Sequence, residues 1–176
     1  MFALLYDPLS EIKKCRDESY ARILMYLLTA SLFAACGLLF YGLNYASEIV
    51  SVSVLISSIV GFLFAFFFGV LFFALFLAMC LHVLDGKGGY YEGLCCLVLS
   101  FVPFAVCFFF GGALSFIPYG LLASLLLFVY GFVLGTATLF RAGKELFSLD
   151  YAGVSVGVIS CLASFVFAVF AFIFLF

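Results

Sequence analysis

The sequence predicts an all-α, polytopic membrane protein with five transmembrane helices, preceded by a short interfacial amphipathic helix. Its 176 residues are 69% hydrophobic and 9% charged, with a mean hydropathy of +1.42. Soluble domains are only about 45–50% apolar and about 25% charged. The charged residues divide the chain into uncharged intervals long enough to cross a bilayer, and the lysines and arginines fall in alternate connections.

The uncharged intervals predict the number of spans. They contain 25, 36, 48 and 26 residues, at 23–47, 49–84, 93–140 and 151–176. Because a span takes about 20 residues, the third interval must fold back once, and Gly111, Gly112 and Pro118 mark the reversal. The second interval is too short for two spans and a turn, so it predicts one long or tilted helix. We expect a leader at 1–21 and a single domain at 22–176, with spans at about 23–43, 55–84, 92–111, 118–140 and 152–175.

The connection at residues 85–89 carries a strong turn signal. Its sequence, Asp-Gly-Lys-Gly-Gly, cannot continue a helix because its three glycines leave the backbone too free. The chain must therefore reverse there, in a short aqueous interval between two apolar tracts.

The basic residues predict the orientation of the chain. All seven lie in the leader, at the start of the first span, in the second connection or in the fourth connection. Five spans place these segments on one side of the membrane, and the positive-inside rule makes that side cytoplasmic. We therefore expect an integral membrane protein with its N-terminus in the cytoplasm and its C-terminus outside.

The leader predicts a short helix on the cytoplasmic surface. Asp7 is a helix cap and Pro8 suits the first turn, where a missing N–H costs nothing. Ile12 and Cys15 then fall on one apolar face, with charged residues around it. The alternative is a solvated leader whose charges serve topology alone.

Several residues within the spans are candidates for helix packing or for a hinge. Pro103 removes the N–H that would bond the carbonyl of Leu99, so it bends or loosens the third span unless Ser100 or a neighbour satisfies that carbonyl. Tyr130 lies near mid-membrane, where we expect its hydroxyl to face the bundle interior. Two pairs of glycines four residues apart predict close approach between consecutive helices or to a neighbouring subunit. These pairs are Gly131 with Gly135, and Gly153 with Gly157.

The sequence contains no recognisable catalytic motif. It has none of the common hydrolase, phosphate-binding or dinucleotide-binding patterns, and its single histidine excludes multi-histidine metal sites. No ionisable acid or base lies at membrane depth, which disfavours an ion-coupled pump. We expect no enzyme activity, cofactor, metal site or nucleic-acid partner, and we interpret the seven cysteines as small apolar residues. His82 is three residues before Asp85 and is expected to pair with it at the helix end.

Three passages together resemble the Yip family of five-span proteins, which are named for interaction with Rab-type GTPases. They are LLYDPLSEIKKCRDE in the leader, LHVLDGKGGYYEGLCCLVLSFVP, and GFVLGTATLFRAGKELFSLDYAGVSVGVI. In eukaryotic members, the resemblance implies a role in vesicle trafficking and organelle shape. The short leader resembles that of prokaryotic members and implies a prokaryotic cell membrane. The tyrosine often found shortly before the third-span proline is replaced here by Cys96 and Leu97.

Two classes of function follow from these observations. The first is a non-enzymatic scaffold or adaptor for membrane organisation, which binds partner proteins or lipids through its cytoplasmic face and forms homo-oligomers. The second is a passive channel or carrier for a small solute, with a cavity near Pro103 and Tyr130. A hydroxyl-lined cavity would favour the second. The candidate partner or lipid contacts are His82, Asp85, Lys87, Tyr90, Tyr91, Arg141 and Lys144.

Overall fold

The computed structural model describes residues 8–16, 18–45 and 52–175, which form six helices and no strand. The helices are α1 (Pro8–Cys15), α2 (Tyr20–Tyr45), α3 (Val52–Val83), α4 (Tyr90–Leu114), α5 (Gly120–Phe147) and α6 (Tyr151–Leu175). This agrees with the predicted all-α fold of one short helix followed by five long ones. Asp7, Glu48 and Phe176 lie outside the described residues.

Within the part of the chain that the structure describes, four of the long helices have the length and composition needed to cross a membrane. They cover Tyr20–Asn44, Ser53–Val83, Tyr90–Leu114 and Gly120–Phe147. α6 is helical through Leu175, and the shorter stretch Tyr151–Ser164 is apolar as well. α3 is one continuous helix of 32 residues, about 48 Å long and so longer than the roughly 30 Å hydrocarbon core. The 36-residue interval therefore holds one long helix, as predicted.

Two predicted boundaries differ from the structure. α4 continues through Gly111 and Gly112 to Leu114, and the reversal follows at 115–119. These glycines are packing positions, because a Cβ on Gly112 would lie 2.8 Å from the carbonyl oxygen of Gly37 on α2. α5 runs to Phe147 rather than to residue 140, so the fourth connection is only 148–150.

α4 forms the centre of the bundle. It contacts α2, α3 and α5 along its length, and its side chains are the most buried of the four spans. α6 packs against α3 and α5, while α1 lies against α5 and α4. The outer surface of α3 carries exposed phenylalanines, as expected for a lipid-facing helix. They include Phe64, Phe68 and Phe72.

Pro103 is buried within α4, which remains a helix on both sides of it. The Ser100 hydroxyl, one of the two candidates for satisfying the Leu99 carbonyl, donates to the carbonyl of Leu97 at 2.7 Å. The physical reason is reach, because a serine hydroxyl in a helix bonds carbonyls three or four residues earlier. Ser100 therefore does not compensate for the N–H that the proline lacks.

Candidate functional site

One end of the bundle, here called the charged end, holds every lysine and arginine of the chain. It comprises α1, the start of α2, the turn at 84–89 and the connection at 148–150 with the adjoining ends of α3 to α6. Because the helices alternate in direction, segments distant in sequence meet there. The Lys87 backbone N–H donates to the carbonyl of Phe147 at 3.0 Å, which joins the turn to the end of α5.

The turn at 84–89 encloses the side chain of Phe147. That ring is fully buried, and a Cβ on Gly88 would lie 2.7 Å from its Cδ1 atom. A Cβ on Gly86 would lie 2.6 Å from the carbonyl oxygen of Leu81. Asp85 alone has a left-handed backbone here, with φ 64°, which aspartate tolerates better than most residues. The glycines are thus required for close contact as much as for chain reversal.

α1 is held on the charged end by side-chain and backbone contacts. Ile12 and Cys15 are buried against the bundle, so protein rather than lipid covers the apolar face predicted for this helix. The Tyr91 hydroxyl contacts the carbonyl oxygens of Cys15 at 2.9 Å and Glu18 at 2.5 Å. Its ring packs on Tyr20 with centroids 4.5 Å apart. Tyr91, predicted as a partner contact, therefore also fixes the leader.

The Cys15 thiol is hydrogen-bonded to Cys95 on α4. This bond, together with burial, raises the pKa of the Cys15 thiol far above its ordinary value. A thiol held in the neutral form is a poor nucleophile and a poor metal ligand. All seven cysteines are free thiols, and across the described ranges no group of three metal-ligating side chains forms.

The other predicted contacts in the second connection lie on the surface of the charged end. His82, Asp85 and Lys87 are exposed. The His82 ring is 3.2 Å from the carbonyl oxygen of Gly86 through Nδ1. The predicted pairing with Asp85 is therefore replaced by a contact with the turn backbone. Tyr90 is 37% exposed, and its hydroxyl donates to the Leu71 carbonyl at 3.3 Å.

Arg141 and Lys144 lie in the last two turns of α5 rather than in a loop. Arg141 is exposed, whereas Lys144 is partly buried with its Nζ atom 4.4 Å from the centre of the Tyr151 ring. Asp150 caps the next helix by accepting the Gly153 backbone N–H at 2.7 Å. These contacts hold α5 and α6 in a short, ordered junction.

Three of the four paired glycines pack against other helices, whereas Gly153 lies against Leu149 and Asp150 in the connection before its own helix. An added Cβ would lie 2.6 Å from the Cys107 Cβ at Gly131, and 2.7 Å from the Ser100 carbonyl oxygen at Gly135. Both glycines thus contact α4 beside Pro103. A Cβ on Gly157 would instead lie 2.4 Å from the Leu81 side chain on α3. The expectation that the two pairs face one another is wrong.

Tyr130 is 57% exposed on the outside of α5, contrary to the predicted interior position. The face of α5 that meets α4 is occupied by Gly131, Gly135 and the buried Thr138. Tyr130 lies next to this face and not on it, since successive helical residues are about 100° apart. The hydroxyl therefore faces the surroundings of the chain.

A cavity of about 670 Å³ lies between α3, α4, α5 and α6. Its walls are apolar apart from Ser100 and Thr136, whose hydroxyls donate to the carbonyls of Leu97 and Phe132 at 2.7 and 2.8 Å. Pro103 and Tyr130 do not line it. The sequence analysis expected a cavity near Pro103 and Tyr130. The observed one is lined by Ser100, Phe101 and Phe104, on both sides of Pro103, but not by Tyr130.

Comparison with known proteins gives a family and no individual relative. A family model described as the Yip1 domain matches residues 2–174. No curated protein and no solved structure matches the chain.

Proposed function

Because this chain belongs to the Yip1 domain family, we propose that it is a non-enzymatic membrane scaffold or adaptor that binds a partner protein or lipid headgroups through its charged end. In this proposal the charged end faces the cytoplasm, in accord with the positive-inside rule. The proposed location is the cell membrane of a prokaryote.

The observation that carries this proposal is that three charged segments are joined into one surface. Lys87 is bonded to Phe147 through the backbone, and Tyr91 holds the carbonyls of Cys15 and Glu18. A surface that is ordered before binding loses less entropy when a partner arrives. Its alternating positive and negative groups suit a protein surface or headgroups better than a single small ion.

The channel alternative is weakened by the chemistry of the cavity. Ser100 and Thr136 are the hydroxyl residues among the residues that line the cavity, and both hydroxyls donate to backbone carbonyls of their own helices. Tyr130 lies outside it. The cavity therefore has little to offer a polar solute.

The test combines site-specific crosslinking with loss of charge. A photo-reactive residue at the exposed His82 should give a defined adduct in native membranes, and one at the exposed, apolar Val60 on α3 should not. Asp85→Asn with Lys87→Gln removes both charges of the turn without changing its net charge. Asparagine suits the left-handed backbone at position 85, where most other residues would be strained.

The double variant should abolish the His82 adduct while a tag at the C-terminus keeps its accessibility. An adduct that survives the double variant, or that forms equally from Val60, would contradict recognition by this surface. An adduct with a protein would identify a partner protein as the ligand of the charged end. An adduct with lipid alone would identify lipid headgroups as that ligand.

A further inference from the structure

The cavity between α3, α4, α5 and α6 extends along only part of the length of these helices. Its lining residues nearest the charged end are Leu77, Leu97, Phe140 and Val158. Each lies six or seven residues, about 10 Å, inside the end of its own helix. Along α3 the lining runs from Ala65 to Leu77, about 18 Å, which is close to the roughly 15 Å of hydrocarbon in one leaflet.

The cavity is a side groove in the bundle and not a pore. Towards the charged end α5 and α6 close on each other, since a Cβ on Gly143 would lie 2.7 Å from the Val154 side chain. α3 and α6 close at Leu81 and Gly157 in the same way. The lining residues Phe132 on α5 and Ile159 and Leu162 on α6 are more than half exposed, so the groove is open to the side, where the bilayer supplies acyl chains.

The walls of this groove fit an acyl chain. Phenylalanines from α3, α4 and α5 form much of the surface, and the two hydroxyls in it are already hydrogen-bonded to backbone. An apolar chain leaves no polar group of the protein unpaired, whereas a polar ligand would lose its own hydrogen bonds.

A basic residue lies beside the groove on the side of the charged end. Lys144 is four residues after Phe140, which lines the groove, so the two are neighbours along α5. Tyr151 is seven residues before Val158 on α6, and its ring is 4.4 Å from the Lys144 Nζ atom. Tyrosine and lysine are typical of the membrane interface. The carboxylate of nearby Asp150 accepts a hydrogen bond from the Gly153 backbone N–H at the start of α6.

We propose that the groove binds one acyl chain of an anionic lipid from the leaflet at the charged end, with Lys144 beside the headgroup. The occupant follows from the apolar walls, the single-leaflet length and the positive charge next to the groove. The inference rests on the proposed function only for calling that leaflet cytoplasmic.

Two glycines on α3 provide a matched pair of variants. A Cβ on Gly69 or Gly61 would meet no atom within 4 Å, so a side chain can begin at either position without a clash at its Cβ. Gly69 lines the groove and Gly61 does not. Gly69→Leu therefore fills the groove, and Gly61→Leu adds the same side chain to the same helix elsewhere.

The experiment is native mass spectrometry of the full chain in detergent, titrated with phosphatidylglycerol or phosphatidylcholine. We expect saturable binding of one phosphatidylglycerol to the unchanged chain and to Gly61→Leu. Binding to Gly69→Leu should be weaker by about tenfold or more, because a filled site must be overpacked to admit the chain. Lys144→Gln should weaken phosphatidylglycerol binding about fivefold and leave phosphatidylcholine unchanged.

Equal binding by Gly69→Leu and Gly61→Leu would overturn the groove as the site. Equal affinity of the unchanged chain for the two lipids would overturn the anionic headgroup. A dimer that dissociates in Gly69→Leu would assign the groove to a second copy instead. Survival of the His82 adduct in the turn variant would contradict the proposed function and leave all of these lipid-binding results unaffected, so the two proposals fail separately.

Discussion

The contact between the glycine turn and Phe147 makes Gly88→Ala the most informative substitution at the charged end. The new Cβ would lie 2.7 Å from Cδ1 and 2.8 Å from Cε1 of the Phe147 ring. Carbon atoms in good contact are about 3.5–4.0 Å apart, so ring or turn must move by nearly an ångström. The ring is fully buried, and its residue also accepts the Lys87 N–H. It therefore has no free space to move into.

Overpacking of this kind costs about 1–3 kcal/mol. A loss of 1 kcal/mol lowers the melting temperature of a chain of this size by about 2–4 °C. We therefore expect Gly88→Ala to melt about 2–12 °C lower than the unchanged protein in the same detergent, measured by circular dichroism.

The neighbouring glycine is the control. A Cβ on Gly89 would meet only the Glu92 carboxylate at 3.5 Å, an ordinary contact, and the backbone there is extended with φ −113°. Gly89→Ala should match or slightly exceed the unchanged protein, because alanine restricts the unfolded chain. The reasoning is refuted if the two variants melt together. Phe147→Leu should also restore part of the loss in Gly88→Ala, as expected for residues in contact.

Three further predictions concern topology, the α4 proline and the leader. A cysteine added after Phe176 should react with an impermeant thiol reagent on intact cells, and labelling only after lysis would contradict the proposed orientation. Pro103→Ala should insert normally and melt about 2–4 °C higher, since the regained backbone hydrogen bond is worth about 1 kcal/mol; an unchanged melting curve would show that the missing bond is irrelevant. Cys15 should resist maleimide at neutral pH while Lys13→Cys reacts, because the Cys15 thiol is buried and its raised pKa keeps it protonated. Tyr91→Phe should increase the labelling of Cys15, and equal protection in that variant would mean that the hydroxyl does not hold the leader.

The number of long helices was predictable because it depends on apolar length, whereas their ends depend on packing. Arg141 and Lys144 indicated a loop, yet α5 continues past them because Gly143, Leu146 and Phe147 are buried. Charges mark the depth at which a helix leaves the hydrocarbon and not the residue at which it ends. No local pattern distinguishes these two boundaries.

Glycine pairs were ambiguous for the same reason. Gly111-Gly112 and Gly88-Gly89 look alike in sequence, but the first pair lies within a helix and the second in a turn. The two pairs differ in the neighbour that contacts them. Gly112 contacts α2, and Gly88 contacts the Phe147 ring. That information lies in residues about 60 to 75 positions away. The candidate surface was predictable from charge, but the internal role of Tyr91 was not.

The docking of α1 has a consequence for the order in which the protein is assembled. The helix is synthesised first, but α5, against which it packs, is completed only at Phe147. At about 5–20 residues per second this interval lasts on the order of ten seconds. During the first part of that time, before α4 is made, the apolar face of Ile12 and Cys15 has no partner helix to pack on. Tyr91 and Cys95 on α4 become available next, and the contacts with α5 last, so the leader is fixed in two steps by helices that follow it in the chain.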